Sequence, residues 1–192
     1  MMMMRKILLT IIFIMTIITG NNANAMADYK QVIPTILKYE GGYAGNIDGK
    51  SCTMRGITLA TFRNHYGRNK TCNDLKRITN EQWEYIFKNS YWDRWNADSI
   101  ESQSIANLLV DWVFTSGVYG IKYPQAVLGV DVDGKVGPKT LAAINNHPDK
   151  RKLFERLWER RKQHFESIAR NNPSKRKFLK GWLRRLDAFG YE

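Results

Sequence analysis

A mainly α-helical body carrying one small β-hairpin wing is the fold the sequence predicts, and three observations predict it. Apolar residues recur at helical spacing through most of the segments between turn signals. The strand signal is confined to Gly42–Ile57, around the Asp48-Gly49 pair, a strong hairpin-turn dipeptide. Beyond residue 25 no internal repeat or long linker divides the chain.

In order along the chain, residues 1–25 have the pattern of an export signal. Arg5 and Lys6 precede an apolar run from Ile7 to Ile18, and Ala23-Asn24-Ala25 offers a small-residue cleavage site. That run is short of the roughly 20 residues that span a bilayer, so the expected location is periplasmic or secreted, with no permanent membrane anchor. Asp28 can cap a helix whose apolar face is Val32, Ile33, Ile36 and Leu37, and Gly41-Gly42 can end it. Glu40 is then left on the last helical turn, between Tyr39 and the two glycines. The helix dipole disfavours an anion at a carboxyl end, so the placement asks for a reason beyond capping. The next segment is predicted as a two-stranded wing, with Asp48 in its turn and Thr53 on its second strand. Thr58 caps a helix that Gly67 stops. Thr79 and Gln82 have capping-box spacing ahead of Trp83, Ile86 and Phe87. Tyr91-Trp92-Asp93-Arg94-Trp95 is an aromatic cluster, read as core more readily than as sugar-stacking surface.

Ser104–Ser116 reads as a buried helix with Ile105, Leu108, Leu109, Trp112 and Val113 on one face and Asp111 and Thr115 on another. Asp133-Gly134 and Gly137-Pro138 mark two turns, and Pro138 suits the first position of a helix through Ile144. Two helices close the chain, with stripes Phe154, Leu157, Trp158, Phe165, Ile168 and Phe178, Leu179, Trp182, Leu183, Leu186. Read as core-facing, these stripes turn the lysines and arginines outward. The division expected is a signal at 1–25, a catalytic lobe at 26–116, and a basic helical lobe at 117–192 packed on it.

Of the 30 lysines and arginines, 14 lie in Lys150–Glu192 against 5 acidic residues there. Such a tail suits a polyanion. For an exported protein the anionic cell-wall polymers, stem-peptide carboxylates and lipid headgroups are nearest, and nucleic acid is the less favoured partner. Cys52 and Cys72 are free to pair in an oxidising compartment, although sequence separation does not decide whether they do. Three scattered histidines and no paired-cysteine motif argue against a metal site, and nothing calls for a cofactor. A monomer is the expected state.

Glu40-Gly41-Gly42-Tyr43, followed by Asp48, Thr53 and Gly56-Ile57-Thr58, resembles the start of the glycoside hydrolase family 108 lysozymes, the N-acetylmuramidases of "secretion activator" type. Lys50-Ser51 replaces that family's glycine pair. Asp133-Gly134-Lys135-Val136-Gly137-Pro138-Lys139-Thr140 resembles the signature of peptidoglycan-binding modules. The resemblance implies a lysozyme-like body and hydrolysis of the β-1,4 bond between N-acetylmuramic acid and N-acetylglucosamine, with peptidoglycan as partner. It implies Glu40 as general acid, Asp48 to steady the positive centre or activate water, and Thr53 to hold that water. Tyr43, Trp92, Asp111 and Thr115 are the candidate substrate contacts; the family has Asn where this chain has Thr115. A lytic transglycosylase, a non-catalytic wall-binding or secretion-helper protein, and a basic nucleic-acid binder are the rival readings.

Overall fold

The computed structural model describes residues 26–45 and 51–192. Residues 1–25, expected to be an export signal, and residues 46–50, with Asp48, lie outside the described residues. The elements are α1 (Tyr29–Tyr39), β1 (Tyr43–Gly45), β2 (Cys52–Met54), β3 (Ile57–Thr58), α2 (Leu59–Tyr66), α3 (Cys72–Lys76), α4 (Asn80–Phe87), α5 (Gln103–Ser116), α6 (Tyr119–Leu128), α7 (Pro138–Asn145), α8 (Lys150–Asn171) and α9 (Arg176–Leu186). Mainly helical with a small wing is therefore the observed class. No described helix is long and apolar enough to cross a membrane.

Local chemistry sets the element ends. Asp28 caps α1 by accepting from Lys30 N–H, Thr58 caps α2, and reciprocal capping boxes open α3 (Thr71, Asp74) and α4 (Thr79, Gln82). Gly67 ends α2 at φ 109°, and Pro138 starts α7. The wing has three strands in the order β1-β2-β3, one more than expected. Arg55 and Gly56 both take positive φ, 48° and 78°, and this tight turn folds Ile57–Thr58 back onto β2. The turn is fastened to α4: the Trp83 indole N–H donates to the Arg55 carbonyl at 2.9 Å, and the Arg55 guanidinium donates to Asn80 at 2.6 Å. Cys52 and Cys72 form a disulfide that ties β2 to α3.

Helix α5 is the hub. Ile105, Leu108, Leu109, Trp112 and Val113 are fully buried, and α1, α6 and α8 pack around them. Each such side chain is worth about 1.5–3 kcal/mol by removal from water. At Gly120 a Cβ would fall 2.4 Å from the backbone of Val113, so α6 can lie this close to α5 only with glycine there. Trp92 and Trp95 are also fully buried; the Trp92 indole donates to Asp98 at 2.6 Å and its ring meets Tyr29 edge-on. Buried on all sides, Trp92 has no open face for a sugar, and the core reading of the aromatic cluster is the one that applies.

The expectation that the closing helices turn every basic residue outward needs correcting. Arg161 of α8 is fully buried, and the Arg185 side chain of α9 is only 11% exposed. The apolar face of α9 is only partly core: Leu186 is buried, whereas Phe178 and Trp182 border a cleft.

Candidate active site

The carboxyl end of α1 delivers Glu40. Its N–H still donates to the Ile36 carbonyl at 3.1 Å, while its own backbone has left the helix for extended geometry at φ −86°, ψ 135°. The side chain, 14% exposed, turns to the boundary between the wing, α5 and α9. There it lines a cleft of about 560 Å³. Tyr39, Gly56 and Phe114 flank Glu40 on one side; Phe165, Phe178 and Trp182 of α8 and α9 form the facing wall, with Lys177 and Arg184 adding charge. Gly56 is a requirement here, because a Cβ would stand 2.6 Å from Glu40 Oε2 and 2.5 Å from Phe114 Cζ. Phe114 in turn sits in an aromatic cluster with Tyr91, Phe87 and Trp83.

Arg185 closes the cleft over Glu40. Its Nη1 donates to Glu40 Oε1 in a short hydrogen bond, linking residues 145 positions apart. The rest of the guanidinium is committed to Asp111: Nη2 donates to Oδ1 at 2.5 Å, and Nε reaches both oxygens at 3.0 and 3.2 Å. Asp111 is wholly buried and also accepts from Arg161 Nη2 at 2.6 Å. Arg161 is held as well by the Thr115 hydroxyl at 3.1 Å, while that hydroxyl donates to the Asp111 carbonyl at 3.0 Å. A chain of charge thus runs from α8 through Asp111 to α9 and ends on Glu40. Burial alone would push the Asp111 carboxyl up, yet the two guanidiniums outweigh it and hold the group below the usual carboxylate range. Burial lowers the pKa of Arg161, its desolvation outweighing the pull of Asp111. In Arg185 the balance goes the other way: burial lowers its pKa, but Asp111 and then Glu40 raise it above the ordinary value.

Of the residues expected at the site, Glu40 and Thr115 line the same cleft. Asp111 was expected to touch substrate; it lies one layer behind, fully buried, where it orients Arg185. Thr53 is half-buried in the central strand of the wing, paired with Ala44 and Thr58, outside the described cleft-lining set. Tyr43 is exposed on β1 under the Lys76 ammonium. Asp48 lies outside the described residues. The expected surroundings of Glu40 were apolar; a guanidinium shares them with Phe114. Arg161 and Arg185 were missed altogether. One signal was present: Arg161 falls midway between Leu157 and Phe165, four residues from each, inside the apolar stripe of α8.

The Asp133–Lys135 turn is internally satisfied. Buried Gln125 donates to the Asp133 carboxylate and the Lys135 carbonyl, both at 2.9 Å, and accepts from Gly134 N–H at 2.8 Å.

Comparison with known proteins agrees with this layout. Residues 33–117 match the glycosyl hydrolase 108 family, and residues 119–187 match a family described as a predicted peptidoglycan domain. The solved structure of Brucella abortus SagA is similar at 25% identity and a TM-score of 0.66, over 83% of this chain and 94% of that one. No curated protein matches.

Proposed function

We propose, on the premise that residues 33–117 belong to the glycosyl hydrolase 108 family and residues 119–187 to a predicted peptidoglycan domain, that this chain is an exported N-acetylmuramidase with Glu40 as its general acid. A lysozyme-type glycoside hydrolase acting on peptidoglycan is the coarser statement, and the family matches support it directly. The finer one rests on a single observation: Glu40 is the carboxylate in the cleft wall between the two matched segments, fixed at one oxygen by Arg185.

Cleavage needs a proton on the leaving glycosidic oxygen and support for an oxocarbenium-like centre. In the proposed cycle Oε1 keeps accepting from Arg185 and Oε2, on the Gly56–Phe114 side, carries the proton. Transfer leaves Glu40 as a carboxylate, with Arg185 Nη1 still donating to Oε1. Asp48 would steady the positive centre or activate water, with Thr53 holding that water. The carboxylates of stem peptides suit the Lys177 and Arg184 side of the cleft, and sugar faces suit Trp182 and Phe178.

The test is product analysis on purified peptidoglycan. The parent is expected to release fragments with a reducing N-acetylmuramic acid end. Glu40→Gln is expected to lose on the order of 10²–10⁴ in rate while keeping its thermal transition. Anhydro-sugar ends would instead make it a lytic transglycosylase, and full activity in Glu40→Gln would remove the residue from the chemistry.

A further inference from the structure

Just past Ser116, which lines the cleft, Gly117 turns the chain at φ 56°, and two exposed side chains follow, Val118 (37%) and Tyr119 (54%). Tyr119 is the outer rung of an aromatic ladder that starts in the core. Buried Trp112 stacks on Tyr123 with centroids 6.0 Å apart and planes at 24°, and Tyr123 stacks on Tyr119 at 5.8 Å and 25°. Tyr123 is backed by His164 at 4.8 Å and by the Arg160 guanidinium at 3.8 Å from its centroid. Burial, then the charges of Arg160 and Arg161, lower the pKa of His164, so the imidazole in this stack is neutral at neutral pH. One side of the Tyr119 ring is therefore fixed by packing, and the other is open.

The Asp133–Lys135 turn borders the same spot. A Cβ at Gly134 would lie 2.7 Å from Val118 Cγ2 and 3.3 Å from Lys122 Cε, so glycine lets the turn lean directly on the platform's edge. Val132, two residues before Gly134, is half exposed. The platform lies near the cleft: Ser116 lines the cleft three residues before Tyr119, which bounds the separation of their Cα atoms to about 11 Å, and Phe165, next to His164, also lines it.

We propose that Tyr119, supported by Tyr123 and edged by Val118 and the Gly134 turn, is a saccharide-stacking platform that holds the glycan strand away from the bond being cleaved. The ring is the right chemistry: its open face matches the C–H face of an N-acetylhexosamine, and its orientation is set beforehand by the ladder, so little freedom is lost on binding. The occupant follows from the nearness of Tyr119 to the cleft and from its place in the predicted peptidoglycan domain, and this inference rests on the peptidoglycan hydrolase reading above.

The test uses Glu40→Gln protein as the background, so that insoluble sacculi are bound without being digested. Sedimentation is measured at about 0.5 M NaCl, where contributions from the basic helices are screened and stacking persists. Tyr119→Ala is expected to bind roughly fivefold or more weakly, and Tyr119→Phe, which keeps the ring, as the parent does. With Glu40 restored, Tyr119→Ala is expected to cleave short soluble glycan fragments at the parental rate and intact sacculi more slowly. Unchanged sedimentation of Tyr119→Ala, equal loss in Tyr119→Phe, or equal slowing on short fragments would each overturn the platform. Failure of the Glu40 assignment would show instead as retained hydrolysis by Glu40→Gln, a result separate from the binding comparison.

Discussion

Asp111 is a fully buried carboxylate with two guanidiniums on it, and what it contributes depends on pH in a direction that can be worked out. Its folded pKa is depressed below the ordinary value of about 3.9. The stabilisation is then fully present above pH ~4 and is lost as the pH falls further, through the folded value. Removing the charge by Asp111→Asn leaves Arg161 buried without a counter-ion, and breaking a buried pair in this way typically costs about 3–5 kcal/mol. The expected result is a large drop in melting temperature at pH 7 that narrows as the pH falls below about 4, where Asp111 of the unfolded parent takes up a proton that the folded state still resists. A gap independent of pH down to pH 2 would mean that packing, not charge, is what Asp111 supplies. Activity should fall as well, because Arg185 loses the three contacts that aim it at Glu40.

Among the elements, the β2–β3 turn and the α3 tether decide how the wing meets the cleft. In Gly56→Ala the added methyl meets both Glu40 Oε2 and Phe114 at a positive-φ position, so the carboxylate must shift or the turn must open. Activity on peptidoglycan is expected to fall at least tenfold, with a destabilisation of only about 1–2 kcal/mol by thermal unfolding. The Cys52–Cys72 bridge spans 20 residues, and closing such a loop restrains the unfolded chain by about 3 kcal/mol. Replacing both cysteines by serine should lower the melting temperature by several degrees, and a reducing agent should do the same to the parent but not to the variant. These elements also show what the sequence could reveal. Caps at Asp28, Thr58, Thr79 and Pro138 were readable because capping is decided within four residues. The position of Glu40 at a helix end followed from the same local chemistry. The partners of Asp111 did not, because Arg161 and Arg185 lie 50 and 74 residues away and a stripe count scores only apolar side chains. Trp92 could not be assigned to surface or core by type, since both uses favour the same ring.

For the molecule as a whole, the family-108 segment and the predicted peptidoglycan domain are expected to be one folding unit, and the charge network supplies the reason. Residues 26–117 contain Asp111 and Glu40 but neither arginine that binds them. They also contain the faces of α5 that α6 and α8 cover, including the fully buried Trp112. Expressed alone, the segment would leave a buried carboxylate unpaired, worth about 3–5 kcal/mol, and would expose apolar side chains worth about 1.5–3 kcal/mol each. Against a total stability of about 5–15 kcal/mol for a typical domain, the sum leaves nothing to hold the fold. The 26–117 fragment should therefore aggregate or show no cooperative thermal transition by circular dichroism, and should not clear peptidoglycan. Co-expression with residues 118–192 should recover a soluble pair, whereas co-expression with a 118–192 segment carrying Arg161→Ala and Arg185→Ala should not. A fragment of 26–117 that melts cooperatively and digests wall by itself would show that the carboxy-terminal helices only adsorb to the polymer, and that the cleft of Glu40 is complete without them.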